Sequence, residues 1–263
     1  MSGGSEPEEP LAGGNHSTVS RVGDTVRRTV GPWTPTIHAL LRHLRAAGVT
    51  EVPEPFGVDD QGREILSYRA GEVGNYPLPS WLWTEEILVQ AGALLRRVHD
   101  ASRGFSEPAA VWQLPGHQPA EVVCLNDVAP YNMVFQSGRI VGLIDLDTAS
   151  PGPRIWDLAY LAYRLVPFVE DAEVDFTGSQ RSARLGRLIE AYGGGFTDAE
   201  VYEVMAQRLI ELAVFTDGRA EQTGRHDFVE HAALYRRDAA ALSARARTSA
   251  AAHPTSSGHR PSQ

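Results

Sequence analysis

Residues Cys124–Asp157 read CLNDVAPYNMVFQSGRIVGLIDLDTASPGPRIWD. Asp127, Asn132 and Asp145 stand in it as polar residues among apolar neighbours. Pro130 lies between the first two, so the Asp127–Asn132 segment reads as a loop rather than a regular helix. Two apolar, strand-like runs follow, Met133–Phe135 and Ile140–Ile144, on either side of Gln136-Ser137-Gly138-Arg139. Ser-Gly is a turn dipeptide, and the pattern predicts a hairpin. With Ser137 and Gly138 as the turn residues, Gln136 faces Arg139. Counting back sets Asn132 opposite Leu143, with Asp145 just beyond. Opposed and diagonal neighbours in such a ladder lie roughly 5 to 8 Å apart. The hairpin therefore brings Asn132 and Asp145 side by side, and the loop carrying Asp127 opens at the same end.

An amide oxygen and a carboxylate at one edge suit Mg²⁺, which takes oxygen ligands in an octahedron and completes its shell with water or substrate phosphates. A third carboxylate nearby can accept the proton of a hydroxyl. Together these are the parts that phosphoryl transfer requires.

The stretch resembles the aminoglycoside phosphotransferase family, small-molecule kinases that share the protein-kinase-like fold. The resemblance rests on Leu125-Asn126-Asp127, then Asn132, then Ile144-Asp145 closing the hairpin, then Trp156-Asp157-Leu158-Ala159 opening a helix. A lone Asp and Asn at this spacing would be weak, but four elements recur in order. The resemblance implies that Asp127 is the catalytic base and that Asn132 and Asp145 bind Mg²⁺. It further implies that Asp157 buttresses the loop, and that ATP donates its γ-phosphoryl group to a small-molecule hydroxyl acceptor. The family has His where this chain has Leu125, and a lost buried hydrogen bond costs about 0.5 to 1.5 kcal/mol. Slower turnover, rather than none, is the expectation from that departure.

The bulk composition is that of an ordinary globular protein: 263 residues, 42% hydrophobic and 22% charged. A formal net charge of -9 argues against a nucleic-acid partner, since such domains are typically basic. The single cysteine, Cys124, excludes an intrachain disulfide and reads as a buried packing residue. No apolar stretch reaches the roughly 18 residues of a membrane helix, and the acidic, Gly/Pro-rich start is unlike a signal peptide. No membrane partner and a cytoplasmic location are expected by default.

The predicted architecture is α+β and two-lobed, a protein-kinase-like fold. Its small antiparallel β-sheet lobe carries one helix, and its larger lobe is mainly helical. Residues 1–10 lack apolar content and read as disordered, 11–72 as the nucleotide-binding lobe, 73–244 as the catalytic and acceptor-binding lobe, and 245–263 as a disordered tail. Gly13 and Gly14 precede a strand and are candidates for a phosphate-covering turn, since glycine amides can approach an anion closely. In the kinase-like fold a basic residue on the third strand meets the phosphates. Arg27 and Arg28 compete for that place. Alternation puts Arg28 on the face of Val26, and it is the inward one if Val26 covers the adenine.

The helix after Thr34 has Ile37, Leu40, Leu41 and Leu44 along one side and no acidic residue, so the usual acidic partner of the phosphate-binding cation is missing from it. His38 on it reads as a partly exposed structural residue. His99, in the helical pattern of residues 81–101, reads as structural rather than chemical. Asp147 is open between a second metal ion and a turn cap. Glu211, Asp217, Glu221, Asp227 and Glu230 fall at the helical end, where carboxylates could bind an aminoglycoside-like or other amine-bearing acceptor, although a solvated face is the simpler account of them. Two other functions compete with phosphoryl transfer. A non-catalytic nucleotide-binding module is favoured by Leu125, by Arg28 in place of lysine and by the missing acidic partner. A metal-dependent phosphohydrolase using Asp127, Asp145 and Asp147 leaves the small lobe without a purpose.

Overall fold

The structure, a computed structural model, describes residues 7–11, 19–168 and 174–252. β1 (Glu8–Pro10), β2 (Ser20–Val22) and β3 (Thr25–Thr29) begin an antiparallel sheet. α1 (Thr34–Ala46) follows, and β4 (Pro55–Val58) and β5 (Arg63–Ser67) complete the sheet in the order β1-β2-β3-β5-β4. α1 buries the side read from its period, Ile37, Leu40, Leu41 and Leu44. It ends at Gly48, whose φ of +89° a residue with a Cβ would resist.

Glu8–Pro10 are not without structure, as the polar composition of residues 1–10 suggested. Their backbone pairs with β2, and Glu8 accepts a hydrogen bond from Ser20 at 2.5 Å and pairs with Arg63 at 2.6 Å. Edge pairing needs backbone groups rather than apolar side chains. Gly13 and Gly14 lie outside the described residues.

β6 (Glu72–Val73) leaves the sheet and pairs with the central hairpin, Glu72 opposite Phe135 and Val73 opposite Val134. Gly71 makes this docking possible. It has a φ of +149°, and a Cβ on it would lie 2.5 Å from the Phe135 carbonyl oxygen. α2 (Glu85–Ser102) crosses beneath, and β7 (Val122–Cys124) carries the chain to the Asp127 loop. The hairpin is β8 (Met133–Gln136) and β9 (Arg139–Leu143). β10 (Ser150–Gly152) returns beside β7, and α3 (Arg154–Leu165) follows it.

The helical end is α4 (Gly178–Tyr192), α5 (Asp198–Thr223) and α6 (His226–Ala252). Thr177 with Gln180 and Thr197 with Glu200 form reciprocal capping boxes on the first two. α6 runs past the disorder expected from Arg245. Ala239 and Leu242 are buried, and the Arg245 guanidinium lies over the Phe168 ring at 5.7 Å. The Ala-rich run that looked like low complexity is also a strong helix former once one face has something to pack on.

Candidate active site

The Asp127 loop is held through its backbone. Asp157, in the first turn of α3, is fully buried. Its Oδ2 accepts from the Leu125 amide at 2.5 Å and its Oδ1 from the Asn126 amide at 2.9 Å. His99 Nε2 meets the same carboxylate at 3.1 Å, and His99 Nδ1 meets the Tyr192 hydroxyl at 2.7 Å. An ionised carboxylate only accepts, so Nε2 carries the proton and Nδ1 accepts from Tyr192. Burial pushes the neighbouring Cys124 thiol far up, with Asp157 adding to it, so Cys124 stays a protonated packing residue.

Asn126 sits in the left-handed region at φ +64°, where Asn is tolerated. Its Nδ2 donates to the Thr148 carbonyl at 2.7 Å and to Ser150 Oγ at 2.8 Å, while Arg208 donates to its carbonyl. Leu125 packs in the apolar core and takes part in the loop's hydrogen bonds through its main chain: its carbonyl accepts from Thr148 Oγ1 at 2.9 Å. The loop's backbone clamp is therefore in place with leucine at position 125.

The hairpin register differs by one residue from the count made from the turn. Gln136 faces Arg139 as expected, but Phe135 pairs with Ile140 and Val134 with Gly142, which leaves Val141 as a bulge. Leu143 then faces Met133, and the Ile144 amide donates to the Asn132 carbonyl at 2.9 Å. Asn132 is thus opposite Ile144, and Asp145 is the next residue, so the bulge preserves the juxtaposition. Asn132 Nδ2 donates to Asp127 Oδ2 and to the Asp127 carbonyl, each at 2.9 Å. Among the described residues its own Oδ1 accepts nothing. Asp145 has a φ of +58°, and its side chain is 57% exposed, so its carboxylate is open to solvent.

Arg28 joins the sheet to this site. Its Nε pairs with Glu64 at 2.5 Å, its Nη1 with Asp145 at 3.0 Å and its Nη2 with Asp147 at 2.5 Å. Arg27 instead pairs with Asp59 at 3.5 Å, so of the two arginines Arg28 is the one that reaches the hairpin. The acidic partner absent from α1 comes from β5. Glu64 is the cross-strand partner of Arg28, it is buried, and its second oxygen meets His38 Nε2 at 2.8 Å. His38 is consequently buried rather than partly exposed. Asp147 is a partner of Arg28 in this geometry. Burial pushes its carboxyl up against the pull of Arg28.

One guanidinium among the carboxylates of Glu64, Asp145 and Asp147 leaves local negative charge over. Asp145, one of these carboxylates, is exposed, and it follows the residue opposite Asn132. This donor set fits a hard divalent cation.

Three residues of the site had no sequence signal. Tyr131 donates from its hydroxyl to Asp127 Oδ1 at 2.6 Å, Tyr160 lies 3.0 Å from Tyr131 hydroxyl to hydroxyl, and Arg164 donates to the Tyr160 hydroxyl from Nε at 3.1 Å and Nη2 at 2.7 Å. Burial pushes Tyr160 up to about 12 and Tyr131 well above its ordinary value, so both stay phenols. The chain of donors then runs one way, from Arg164 through Tyr160 and Tyr131 to Asp127. Removing the last donor by Tyr131→Phe should slow turnover about 10-fold, the scale of one hydrogen bond to a charged group. Steady-state rates of the two proteins at one pH check this.

The acidic residues of the helical end are not gathered at this site. Glu211 pairs with His117 at 3.0 Å, Asp227 with Arg225 at 2.5 Å, Glu230 with His226 at 3.5 Å, and Asp217 with Arg236.

Residues 107–204, which contain this whole loop and hairpin, match the sequence model of the phosphotransferase enzyme family. The trifolitoxin immunity protein of Rhizobium leguminosarum bv. trifolii is 37% identical over 205 residues, 72% of this chain and 77% of that protein. The chain belongs to the phosphotransferase enzyme family. Its fold is the protein-kinase-like fold of solved small-molecule kinases. A choline/ethanolamine kinase family protein from Mesorhizobium loti superposes with a TM-score of 0.64 at 20% identity, covering 92% of each chain. The amicoumacin kinase hAmiN, in complex with AMP-PNP, Ca²⁺ and Ami, superposes with a TM-score of 0.67 at 13% identity, covering 88% of this chain and 87% of that one. Membership makes this protein a phosphotransferase.

Proposed function

We propose that this phosphotransferase moves the γ-phosphoryl group of ATP to a hydroxyl of a small molecule, with Asp127 as the base. The observation that carries the reading is the convergence of Asp127, Asn132 and Asp145 at one end of a bulged hairpin, with Arg28 reaching Asp145 from the sheet. The acceptor hydroxyl lies against the Asp127 carboxylate and gives up its proton there as its oxygen bonds to the γ-phosphorus. The bond from that phosphorus to the bridging oxygen breaks, and ADP leaves. Arg28, held by Glu64, supplies fixed positive charge to the donor phosphates, as a charged group can in a preorganised site. Asn132 Oδ1 and Asp145 would hold Mg²⁺, which screens the phosphates when bound.

The acidic partner for the strand cation is present in Glu64, so the feature that favoured a non-catalytic module finds its replacement. The phosphohydrolase alternative still leaves the small lobe, with Arg28 on its sheet, without a purpose. The test is turnover of γ-labelled ATP with a panel of hydroxylated small molecules, with and without Mg²⁺. Transfer to an acceptor that stops when EDTA removes the metal is expected, and so is loss of nucleotide binding in Arg28→Met. Phosphate released to water without any acceptor dependence would refute phosphoryl transfer.

A further inference from the structure

The cation nearest the base along the hydrogen-bond chain has no anion. Arg164 lies at the end of α3, and both its Nε and Nη2 bonds go to the neutral Tyr160 hydroxyl. Its guanidinium lies over the rings of Tyr131 at 5.5 Å and Tyr160 at 5.0 Å. No carboxylate of the described residues pairs with it, and Nη1 carries no hydrogen bond among them. Arg164 as a residue is of intermediate exposure, at the edge of the buried tyrosine cluster.

Arg208 stands on the same Tyr160 ring, 4.9 Å from its centre, and it too lacks a carboxylate partner among the described residues. This happens in a chain with nine more formal negative charges than positive ones, in which Glu211, Asp217, Asp227 and Glu230 of the helical end are paired elsewhere. Cations taken out of water are ordinarily paired, and a planar guanidinium with a free edge suits a carboxylate.

Three successive hydrogen bonds separate Arg164 from Asp127, on the order of 8 Å at most. A molecule with its hydroxyl on Asp127 can span that distance. Tyr76, whose ring packs 6.2 Å from that of Tyr131, is 45% exposed and marks where the cluster meets solvent.

We propose that the acceptor is a hydroxy acid, whose carboxylate is held by Arg164 while its hydroxyl meets Asp127, and not an amine-bearing compound. The inference rests on the phosphotransferase reading for the hydroxyl and on Arg164 alone for the anion. Three probes of one carbon skeleton test it: gluconate, glucitol and glucamine. Each is offered to the full-length protein with labelled ATP and Mg²⁺, and its binding is followed separately by saturation-transfer NMR. Gluconate should bind and be the preferred acceptor. Arg164→Gln should lower gluconate kcat/KM about 10- to 100-fold, the range of a charge-assisted bond. Glucitol should fall by a smaller factor than gluconate, since it loses only the support that Arg164 gives Asp127 through the tyrosines, and Arg164→Lys should recover part of the gluconate loss. An Arg164 that only tunes Asp127 through the tyrosines would lower all three probes alike and refute the proposal. So would a preference for glucamine, or no binding of gluconate to the wild type. Arg164-dependent gluconate binding with no transfer to any probe would keep the anion site and remove the phosphotransferase reading instead.

Discussion

Asp127→Asn should lower the transfer rate by about 10²- to 10⁴-fold, the contribution of a positioned general base, and leave folding and nucleotide binding in place. The reason is local. Asn has nearly the volume of Asp, and its amide can still meet Tyr131 and Asn132, because a phenol hydroxyl can turn from donor to acceptor. It cannot take up a proton at neutral pH. The acceptor hydroxyl therefore finds a hydrogen-bond partner but no base. The distances that matter, 2.6 Å to Tyr131 and 2.9 Å to Asn132, put both carboxylate oxygens under control of neighbours on the same loop. A single-turnover assay with excess ATP reads the chemical step, and titration with a non-hydrolysable nucleotide reads binding. Turnover within about 10-fold of wild type would assign the proton elsewhere.

The parts of this site that could be read from sequence are those whose geometry is local. Asp127, Asn132 and Asp145 share one loop and one two-residue turn, and alternation along a five-residue strand separated Arg28 from Arg27. The bulge at Val141 was not legible, because nothing in Ile140-Val141-Gly142 distinguishes a bulged from a regular strand. It happened to leave the polar pair adjacent. Glu64 was missed because β3 and β5 are separated by α1 and β4, and no local pattern states the register between strands so far apart. Tyr160 and Arg164 were missed for another reason. Most of α3 is buried, so Tyr160 read as one more packing residue and the partners of its hydroxyl could not be inferred. The ends of the chain were misjudged by composition: Glu8–Pro10 needs only a strand edge, and the Ala-rich end of α6 only a partner helix.

Asp157→Ala should cost about 3 kcal/mol or more of stability, since each of its stranded buried donors costs about 1 to 3 kcal/mol, and abolish transfer with it. Three donors end on this carboxylate inside a region with no exposure: two backbone amides and the His99 ring. Alanine leaves all three without a partner. Removing a donor that water cannot replace costs about 1 to 3 kcal/mol for each group, less whatever the loop recovers by moving. Set against a typical net stability of about 5 to 15 kcal/mol, the loss is large enough to lower the melting point and to release the Asp127 loop before the whole chain unfolds. Asp157→Asn should do little better. Its one carbonyl oxygen can serve the Leu125 side or the Asn126 side, and its amide nitrogen then faces a second donor. This separates the two aspartates by mechanism: the Asp127 variant keeps its melting point and loses rate, while the Asp157 variant loses both. Denaturant unfolding paired with nucleotide titration makes the comparison. A stable Asp157→Ala protein with wild-type turnover would mean that the Leu125 and Asn126 amides are held in place without the carboxylate.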